Sequence, residues 1–305
     1  MLSLILAAAL LTDPVAAPVN LPTDRAPLHG TLLTPDAPRA VAVIVPGSGP
    51  TDRDGNSPLG VSGGIYRQLA EGLAERGVAT LRFDKRGIAA SAFAASDEAS
   101  LRFDHYVEDA RRWAALAAER TGQPCAWLIG HSEGALIAQK AAEGDDTVCG
   151  LVLVSAVGQK AGAQIRQQLA TLPEPLNSQA MAALTDLEAG RATEGPPELA
   201  ALFRPSVQPY LISYLALDPV ALIAEYAGPV LLVHGTTDLQ VPIDNSERLA
   251  AAQPAARLVR IEGANHVLRI APAERAANAA TYNDAALPLA SGIVDAVADF
   301  ILQPR

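Results

Sequence analysis

A Gly-His-Ser-Glu-Gly motif at residues 130–134 constrains this chain more than any other feature, because of the two segments that flank it. The apolar stretch 126–129 precedes the motif and is typical of a β-strand, whereas residues 135–143 are rich in Ala, Leu and Gln and favour a helix. A serine between two glycines at a strand-to-helix turn sits on a sharp bend that exposes its hydroxyl at the top of a sheet. We therefore predict a nucleophile elbow with Ser132 at its apex.

Two later segments supply partners for this serine, which needs a base to take its proton and a third group to orient that base. Asp238 follows the apolar run 230–234, and His266 follows the run 257–261. Both therefore lie just past the C-terminal end of a predicted strand, where ligand sites of open α/β sheets lie. We predict Ser132 as nucleophile, His266 as general base and then acid, and Asp238 as the group that fixes the imidazole tautomer. The alternative is that Asp238 only forms a turn and His266 only lies in a surface loop.

An acyl-transfer site also needs hydrogen-bond donors for the oxyanion that develops in the transition state. The apolar run 41–45 is followed by a Pro-Gly-Ser-Gly-Pro loop, residues 46–50. With an elbow of this kind, such a loop supplies one backbone N–H and the residue after the nucleophile supplies the other. The predicted oxyanion donors are therefore the backbone N–H groups of Ser48 and Glu133. Without the elbow, the loop would indicate only a Gly/Pro turn.

Five segments carry a wider resemblance: PGSGPTDRDGN at 46–56, LRFDKRG at 81–87, GHSEG at 130–134, HGTTDLQVP at 234–242 and GANHVL at 263–268. Together they resemble a branch of the bacterial serine α/β-hydrolases that contains carboxylesterases and is similar to the group named serine aminopeptidase-like. The resemblance spans roughly residues 30–302 and implies the catalytic roles given above for Ser132, Asp238 and His266. The family usually continues with Gly-x-Ser after DKRG, whereas this chain has Ile-Ala-Ala-Ser at 88–91. That departure concerns the path of a loop over the site and not the chemistry.

The arrangement of apolar runs predicts the fold class. Half of the 305 residues are hydrophobic, so a large core is available without metals. Strand-like runs recur at 41–45, 78–83, 126–131, 151–155, 229–234 and 257–261, and predicted helices include 65–76, 104–121 and 292–302. This alternation predicts a mostly parallel sheet with helices on both faces, which agrees with the α/β-hydrolase fold that the resemblance implies. The predicted core is 18–158 and 228–305, and residues 28–33 are predicted to begin the sheet as an antiparallel edge.

The stretch 159–227 does not fit this alternation. Short helices are predicted in it at 163–172, 178–189 and 219–226, separated by Pro- and Gly-rich patches. Connections of this length are usually functional, and the resemblance implies a helical lid inserted over the active site. The alternative is helical padding without a function. Four residues of this stretch are candidates either to line an acyl or leaving-group pocket or simply to pack: Phe203, Tyr210, Leu211 and Tyr214.

The N-terminal segment favours export. Residues 1–11 are nearly all Leu, Ile and Ala, and residues 15–17 are small, as is typical before a signal-peptide cleavage site. The apolar run is too short to span a bilayer in the mature chain, although no Lys or Arg precedes it. We predict that residues 1–17 are a signal peptide and that the mature protein is periplasmic or extracellular. Without a signal peptide the protein would be cytoplasmic.

The chain has two cysteines, Cys125 and Cys149, each directly ahead of a predicted strand. If those strands are adjacent and parallel, their starts lie close together, as a disulfide requires. The alternative is a pair of buried free thiols. No His or Cys pair has the spacing of metal ligands, so no metal site is predicted.

Charge and motifs limit the function. The net charge is −10 and the basic runs are short, so the chain lacks the electrostatic footprint of a nucleic-acid binder. No dinucleotide or P-loop fingerprint is present, and no cofactor is predicted. We predict a serine carboxylesterase that acts on small short- to medium-chain acyl esters. The alternatives are a peptidase, amidase, lactonase or thioesterase with the same triad, or a non-catalytic ligand-binding protein, against which a complete triad argues.

Overall fold

The structure is a computed structural model that describes residues 13–303. The apolar segment 1–11 of the predicted signal peptide lies outside the described residues. Within residues 13–303, none of the helices combines the length and the apolar character needed to cross a membrane.

One eight-stranded sheet forms the centre of the protein. Its strands are β1 Val15–Leu21, β2 Leu28–Thr34, β3 Ala40–Val45, β4 Val78–Phe83, β5 Ala126–His131, β6 Val148–Val154, β7 Val230–Gly235 and β8 Arg257–Ile261. Their spatial order is β1-β2-β4-β3-β5-β6-β7-β8. Strands β3 to β8 pair in parallel, whereas β1 and β2 are antiparallel to their neighbours. The predicted mostly parallel sheet is confirmed.

The antiparallel edge differs from the prediction. Strand β2 is not the edge, because β1 pairs with it along its whole length, from Val15 opposite Thr34 to Leu21 opposite Leu28. The sequence did not indicate β1, since only Val19 and Leu21 of this strand are buried and Pro18 interrupts it. Proline is tolerated on an edge strand, where one row of N–H groups has no sheet partner. The predicted signal-peptide boundary at residue 17 falls inside this strand.

Eleven α-helices lie within residues 13–303. They are α1 Ile65–Glu75, α2 Phe103–Thr121, α3 Glu133–Ala141, α4 Ala161–Leu169, α5 Leu176–Glu188, α6 Ala200–Phe203, α7 Gln208–Leu215, α8 Pro219–Glu225, α9 Asp244–Ala252, α10 Arg275–Ala280 and α11 Ile293–Ile301. Helices α1 and α11 cover one face of the sheet, and α2, α3, α8 and α9 cover the other. The predicted helical layers on both faces are confirmed.

Strand β3 is apolar at every position, and β5 and β7 are apolar up to a histidine near the C-terminal end, because both faces of these strands are buried. In β3, Val41, Val43 and Val45 point toward α2 and α3, whereas Ala42 and Ile44 point toward α1. This alternation follows from the two-residue period of a strand. The parallel strands also bring the loops after β3, β4, β5, β7 and β8 to one end of the sheet, where the candidate site lies.

The segment between β6 and β7 forms a separate small cluster of helices. Helices α4, α5, α6 and α7 share their own apolar core, which includes Leu184, Leu187 and Phe203. Helix α8 instead packs in the main core through Ile223. The sequence did not indicate α6 or α7, because both are short and each is flanked or begun by proline.

Candidate active site

The predicted elbow forms at the end of β5. Ser132 has φ 55° and ψ −121°, and it directly precedes α3. A Cβ atom at Gly130 would lie 2.3 Å from the Gly134 carbonyl oxygen, and one at Gly134 would lie 2.2 Å from the Val45 carbonyl oxygen. Glycine is therefore required at both positions because the neighbouring backbone lies too close for a Cβ atom, and not because either residue has a positive φ. Within the elbow, only Ser132 has a strained backbone conformation. Such a conformation typically costs about 1–3 kcal/mol, and strained residues are concentrated at functional sites.

Asp238 and His266 are in direct contact. The Asp238 side chain is fully buried, and its Oδ2 accepts a hydrogen bond from His266 Nδ1 at 2.8 Å. Its Oδ1 accepts hydrogen bonds from the Gln240 and Val241 N–H groups at 3.0 and 2.8 Å. Burial alone would raise the pKa of the Asp238 carboxyl, but the nearby His266 and these hydrogen bonds outweigh it and hold the pKa below its usual value. An ionised Asp238 keeps the proton on Nδ1 and leaves Nε2 of His266 able to act as a base.

His131 ties His266 to the elbow, a role that sequence reasoning missed. Its Nε2 lies 2.9 Å from the His266 carbonyl oxygen, and its Nδ1 lies 2.8 Å from the Tyr66 hydroxyl. Because a carbonyl only accepts, Nε2 carries the hydrogen and Tyr66 donates to Nδ1. Burial lowers the pKa of His131 to about 3, so the ring is neutral. The rings of His131 and His266 lie 4.9 Å apart. His266 is therefore held against the residue that directly precedes Ser132. Within residues 13–303, no hydrogen bond joins the Ser132 and His266 side chains.

A second buried histidine braces the turn that carries Asp238. His234 Nε2 donates to the Val241 carbonyl oxygen at 2.8 Å, and its Nδ1 accepts from the Ser246 hydroxyl at 2.6 Å. Burial lowers the pKa of His234, which keeps this ring neutral as well. The other aspartate of this segment, Asp244, is half-exposed and pairs with Arg248 on the surface of α9. Asp238, and not Asp244, is therefore the carboxylate that contacts His266.

The two predicted oxyanion donors lie at adjoining backbone segments. The close approach of Gly134 to the carbonyl oxygens of Val45 and Pro46 places the start of α3 against the loop that carries Ser48. The Ser48 N–H makes no hydrogen bond to any residue of the described range 13–303. The N–H of Glu133 is the first of α3, and the first N–H groups of a helix have no partner within the helix. Both groups are available to an anionic ligand.

Lys85 also contacts this loop, and sequence reasoning gave it no role. Its ammonium is buried and donates to the Gly47 carbonyl oxygen at 2.6 Å and to Glu133 Oε1 at 3.3 Å. The available signal was the DKRG segment after β4, whose lysine sits past the end of a strand adjacent to β3. The other charged residues of that segment stabilise loops through ion pairs: Asp84 binds Arg53, and Arg86 binds Asp109.

A cavity of about 640 Å³ opens beside Ser48 and Glu133 and extends beneath the helices between β6 and β7. Of the four pocket candidates, Tyr210 and Leu211 line this cavity. The other two lie elsewhere: Phe203 is buried in the small core of α4 to α7, and Tyr214 stacks on Phe103 with ring centroids 5.4 Å apart. The apolar part of the wall includes Leu59, Ile88, Leu101, Val207 and Leu211.

Cys125 and Cys149 form a disulfide with a Cα–Cα distance of 5.2 Å. Cys125 precedes β5, and Cys149 is the second residue of β6, so the bond joins the starts of two adjacent parallel strands. Ser132 follows the other end of β5. Among the described residues 13–303, no three His, Cys, Asp or Glu side chains are grouped so that they could hold a metal ion.

Fold and site together define an α/β-hydrolase with an elbow serine and a hydrogen-bonded His–Asp pair. The chain belongs to the family described as serine aminopeptidase, S33 (Hydrolase_4), whose model matches residues 59–270. The family resemblance inferred from the sequence is thereby confirmed.

Comparison with individual proteins supports the same family. The chain is 28% identical over 224 residues to esterase EstD of Thermotoga maritima, covering 72% of this chain and 52% of EstD. It thus spans about half the length of that relative. Est1E from Butyrivibrio proteoclasticus superposes with a TM-score of 0.61 at 20% identity, covering 93% of this chain and 97% of Est1E. An esterase of Pyrococcus furiosus gives a TM-score of 0.56 at 19% identity, with 83% of each chain covered. These structures share the fold.

Proposed function

We propose that the protein is a serine carboxylesterase that hydrolyses short- to medium-chain carboxylic esters through an acyl-enzyme on Ser132. The observation that carries this proposal is the 2.8 Å hydrogen bond between Asp238 and His266 Nδ1, with His266 bound through His131 to the strained elbow of Ser132. A ligand-binding protein has no need of this combination. The similarity to an esterase over 72% of the chain supports the ester as the substrate class.

In the proposed reaction, the Ser132 oxygen attacks the ester carbonyl carbon while His266 Nε2 takes the hydroxyl proton. The carbonyl oxygen becomes an anion that accepts hydrogen bonds from the N–H groups of Ser48 and Glu133. Collapse of this intermediate breaks the bond to the alcohol, which leaves with the proton from His266. A water molecule then attacks the acyl-enzyme by the same route, and the carboxylic acid is released. Asp238 stays ionised throughout and stabilises the imidazolium that forms twice in the cycle.

The cavity supports a small acyl or alcohol group as the bound part of the substrate. Its volume of about 640 Å³ lies in the usual range for small-molecule sites, and its wall is largely apolar. We propose that α4 to α7 act as the lid of this cavity, since α7 contributes Tyr210 and Leu211 to its wall. The proposed partner is therefore a small-molecule ester and not a polymer.

The charges around the cavity favour an ester over the free N-terminus of a peptide. An aminopeptidase must bind the substrate ammonium group, and an unpaired carboxylate serves that purpose best. Glu133 is paired with Lys85, and Glu98 is paired with Arg204 through a 2.8 Å hydrogen bond. Asp97 lies exposed at the rim and accepts the Ser100 N–H. Amide, lactone and thioester hydrolysis remain the alternatives for the same triad.

We also propose that the protein is exported, to the periplasm or beyond. The bond between Cys125 and Cys149 supports this proposal, because disulfides persist in oxidising compartments and are rare in the cytosol. Thiol counting on protein recovered from the periplasm without reductant tests it. Two free thiols, or a chain that keeps residues 1–17 in the cytosol, would contradict it.

The activity is tested with p-nitrophenyl esters of increasing chain length, alongside peptide and thioester substrates. Ser132→Ala should abolish turnover, a loss of about a millionfold in kcat for a triad serine, and a fluorophosphonate probe should label Ser132. Asp238→Asn should lower kcat by about ten-thousandfold because it favours the wrong imidazole tautomer. Asp244→Asn is the matched control and should change kcat by less than about twofold, because the hydrogen bonds of Asp244 go to Arg248 and Asn245 and not to His266. Faster turnover of peptides than of any ester would overturn the proposed substrate class.

A further inference from the structure

Lys85 occupies an unusual position for a lysine. Its side chain is 2% exposed, although lysine is almost never fully buried unless it is paired. The ammonium has three contacts: the Gly47 carbonyl oxygen at 2.6 Å, Glu133 Oε1 at 3.3 Å, and the face of the Tyr106 ring with its centroid at 5.2 Å. Two of these contacts are with the segments that supply the proposed oxyanion donors.

The contact with Gly47 determines the direction of the Ser48 N–H. The Gly47 carbonyl and the Ser48 N–H belong to one planar peptide unit, and in a trans peptide these two groups point to opposite sides. The only cis bond in residues 13–303 is Glu174–Pro175, so the peptide between Gly47 and Ser48 is trans. A cation that holds the carbonyl oxygen on one side therefore turns the N–H to the other. Because residue 47 is glycine, its own conformational preference does little to fix the orientation of this peptide plane.

The preceding peptide is held as well. The Gly47 N–H donates to the Tyr66 hydroxyl at 3.0 Å, and that hydroxyl donates to His131. Gly47 is thus anchored on both sides, by Tyr66 at its N–H and by Lys85 at its carbonyl. Only the Lys85 contact acts on the peptide that contains the proposed oxyanion donor.

From this arrangement we infer that Lys85 is a positioning residue for the oxyanion hole: its ammonium orients the Gly47–Ser48 peptide and ties it to Glu133, which carries the second donor. The inference rests on the proposed function. The negative charge of Glu133 offsets the positive charge of Lys85, so the ion pair adds little net electrostatic field at the site. A hydrogen bond from an ammonium also polarises the peptide and strengthens its N–H as a donor.

The contact is required only when the oxyanion forms, so its loss should act on kcat and not on substrate binding. Removing one oxyanion donor outright costs about 100- to 1000-fold in kcat. Lys85 orients a donor and is not one itself, so we expect Lys85→Met to lower kcat about 10- to 100-fold with KM within about threefold. The rate of phosphonylation of Ser132 should fall by a similar factor, since the phosphoryl oxygen occupies the same hole.

Arg86→Met is the matched control. Arg86 is the next residue, and its guanidinium pairs with the buried Asp109 without contacting the oxyanion loop. Both variants remove a cation from a buried pair, and both should lower the melting temperature. Only Lys85→Met should lower kcat per active site. Should Lys85→Met fail to fold, Lys85→Gln takes its place in the comparison, because it keeps a polar group in the buried position.

A rescue experiment separates orientation from general packing. The sequence has no cysteine other than the disulfide-bonded pair, so Lys85→Cys introduces a single thiol. Alkylation of that thiol with bromoethylamine, in the unfolded and non-reduced protein, restores an ammonium at nearly the lysine length. After refolding we expect at least about tenfold recovery of kcat over the variant alkylated with iodoacetamide, with wild-type protein refolded in parallel as reference.

The outcomes are distinct. Equal kcat losses in Lys85→Met and Arg86→Met, or no difference between the two alkylated forms, would overturn the role of Lys85. A wild-type protein that hydrolyses no ester but reacts with the phosphonate would overturn the proposed substrate class. In that case the phosphonylation rates of the same variants still decide the role of Lys85.

Discussion

Ala89 has φ 46°, in the left-handed region that favours glycine. Aligned on Ser91, it stands where the related hydrolases usually have the glycine of Gly-x-Ser. A residue with a Cβ pays about 1–2 kcal/mol in this region. At this position the chain therefore has a residue with a Cβ in a conformation that favours glycine.

We expect Ala89→Gly to raise the free energy of unfolding by about 0.5–1 kcal/mol, since relief of strain exceeds the extra entropy of an unfolded glycine. Ala90→Gly is the control. Ala90 is also exposed but does not have a positive φ, so its replacement should lower the free energy of unfolding by about 0.5–1 kcal/mol. Urea denaturation of both variants measures the difference. Equal destabilisation would show that Ala89 is not strained.

Burial of His131 predicts how stability depends on pH. Its pKa is about 3 in the folded protein, against about 6.5 for an unfolded histidine. As pH falls below about 6.5, the unfolded chain binds a proton that the folded protein does not, so the stabilisation present at neutral pH is lost toward pH 3. The loss from His131 reaches about 2 kcal/mol at pH 5. His234, whose pKa burial also lowers, acts in the same direction.

The measurement is the free energy of unfolding at pH 7 and pH 5 for wild type and His131→Asn. Asp and Glu of the unfolded chain stay largely ionised in this window. The variant should be less stable at pH 7 but should lose about 2 kcal/mol less than wild type on going to pH 5. Parallel losses in the two proteins would mean that His131 titrates normally in the folded state.

At the scale of elements, α7 contributes both to the cavity beside Ser48 and Glu133 and to the core of α4 to α7. Leu211 and Leu215 lie one turn apart on the same face of the helix, and both pack in that core, at 7% and 6% exposure. Leu211 also lines the cavity, whereas Leu215 does not. Comparing the two residues therefore separates the contribution of Leu211 to the cavity from the packing that both share.

Leu211→Ala should enlarge the cavity and shift preference toward longer acyl chains. A methylene in an apolar pocket discriminates by about 1–3 kcal/mol, so we expect the ratio of kcat/KM for octanoate to that for butyrate to rise about tenfold. Acetate hydrolysis should change by less than about twofold. Leu215→Ala should lower stability and leave the ratio unchanged. A uniform loss across all esters in Leu211→Ala would point to packing alone.

At the scale of the whole molecule, the Cys125–Cys149 bond and the proposed catalytic residues lie at opposite ends of the parallel strands. The bond closes a loop with a sequence separation of 24 residues. By the chain-entropy estimate, a loop of this size stabilises the fold by about 3–4 kcal/mol. The bond therefore lies at the end of the sheet away from the loops that carry Ser132, Asp238 and His266.

Reduction should therefore lower the melting temperature and leave kcat at low temperature nearly unchanged. The double variant Cys125→Ser/Cys149→Ser should behave like the reduced protein. Calorimetry in the presence and absence of reductant, with ester hydrolysis at about 20 °C in the same samples, checks both parts. A loss of kcat well below the melting transition would show that the strand starts and the site are coupled.

Much of this protein was predictable from local sequence. The elbow was recognisable because strand, glycines, serine and helix are contiguous, and the chain order of Ser132, Asp238 and His266 needed no tertiary information. The central strands were predictable because burial on both faces makes them mostly apolar. The long helices α1, α2 and α11 were predictable because one buried face imposes a three- and four-residue spacing.

Only the tertiary structure decided how distant residues meet. Strand β1 has few buried residues and exists because β2 supplies its hydrogen-bond partners, so its own sequence carries almost no signal. Whether an aromatic residue faces a cavity or a core depends on what packs against its helix, which is why Tyr210 and Tyr214 differ on one helix. The contacts of Lys85 with Gly47 and of His131 with Tyr66 join segments far apart in the chain. The local periodicity of a sequence indicates which residues are buried but not which residues they contact. The residue types at the site were therefore visible in the sequence, whereas the contacts that orient them were not.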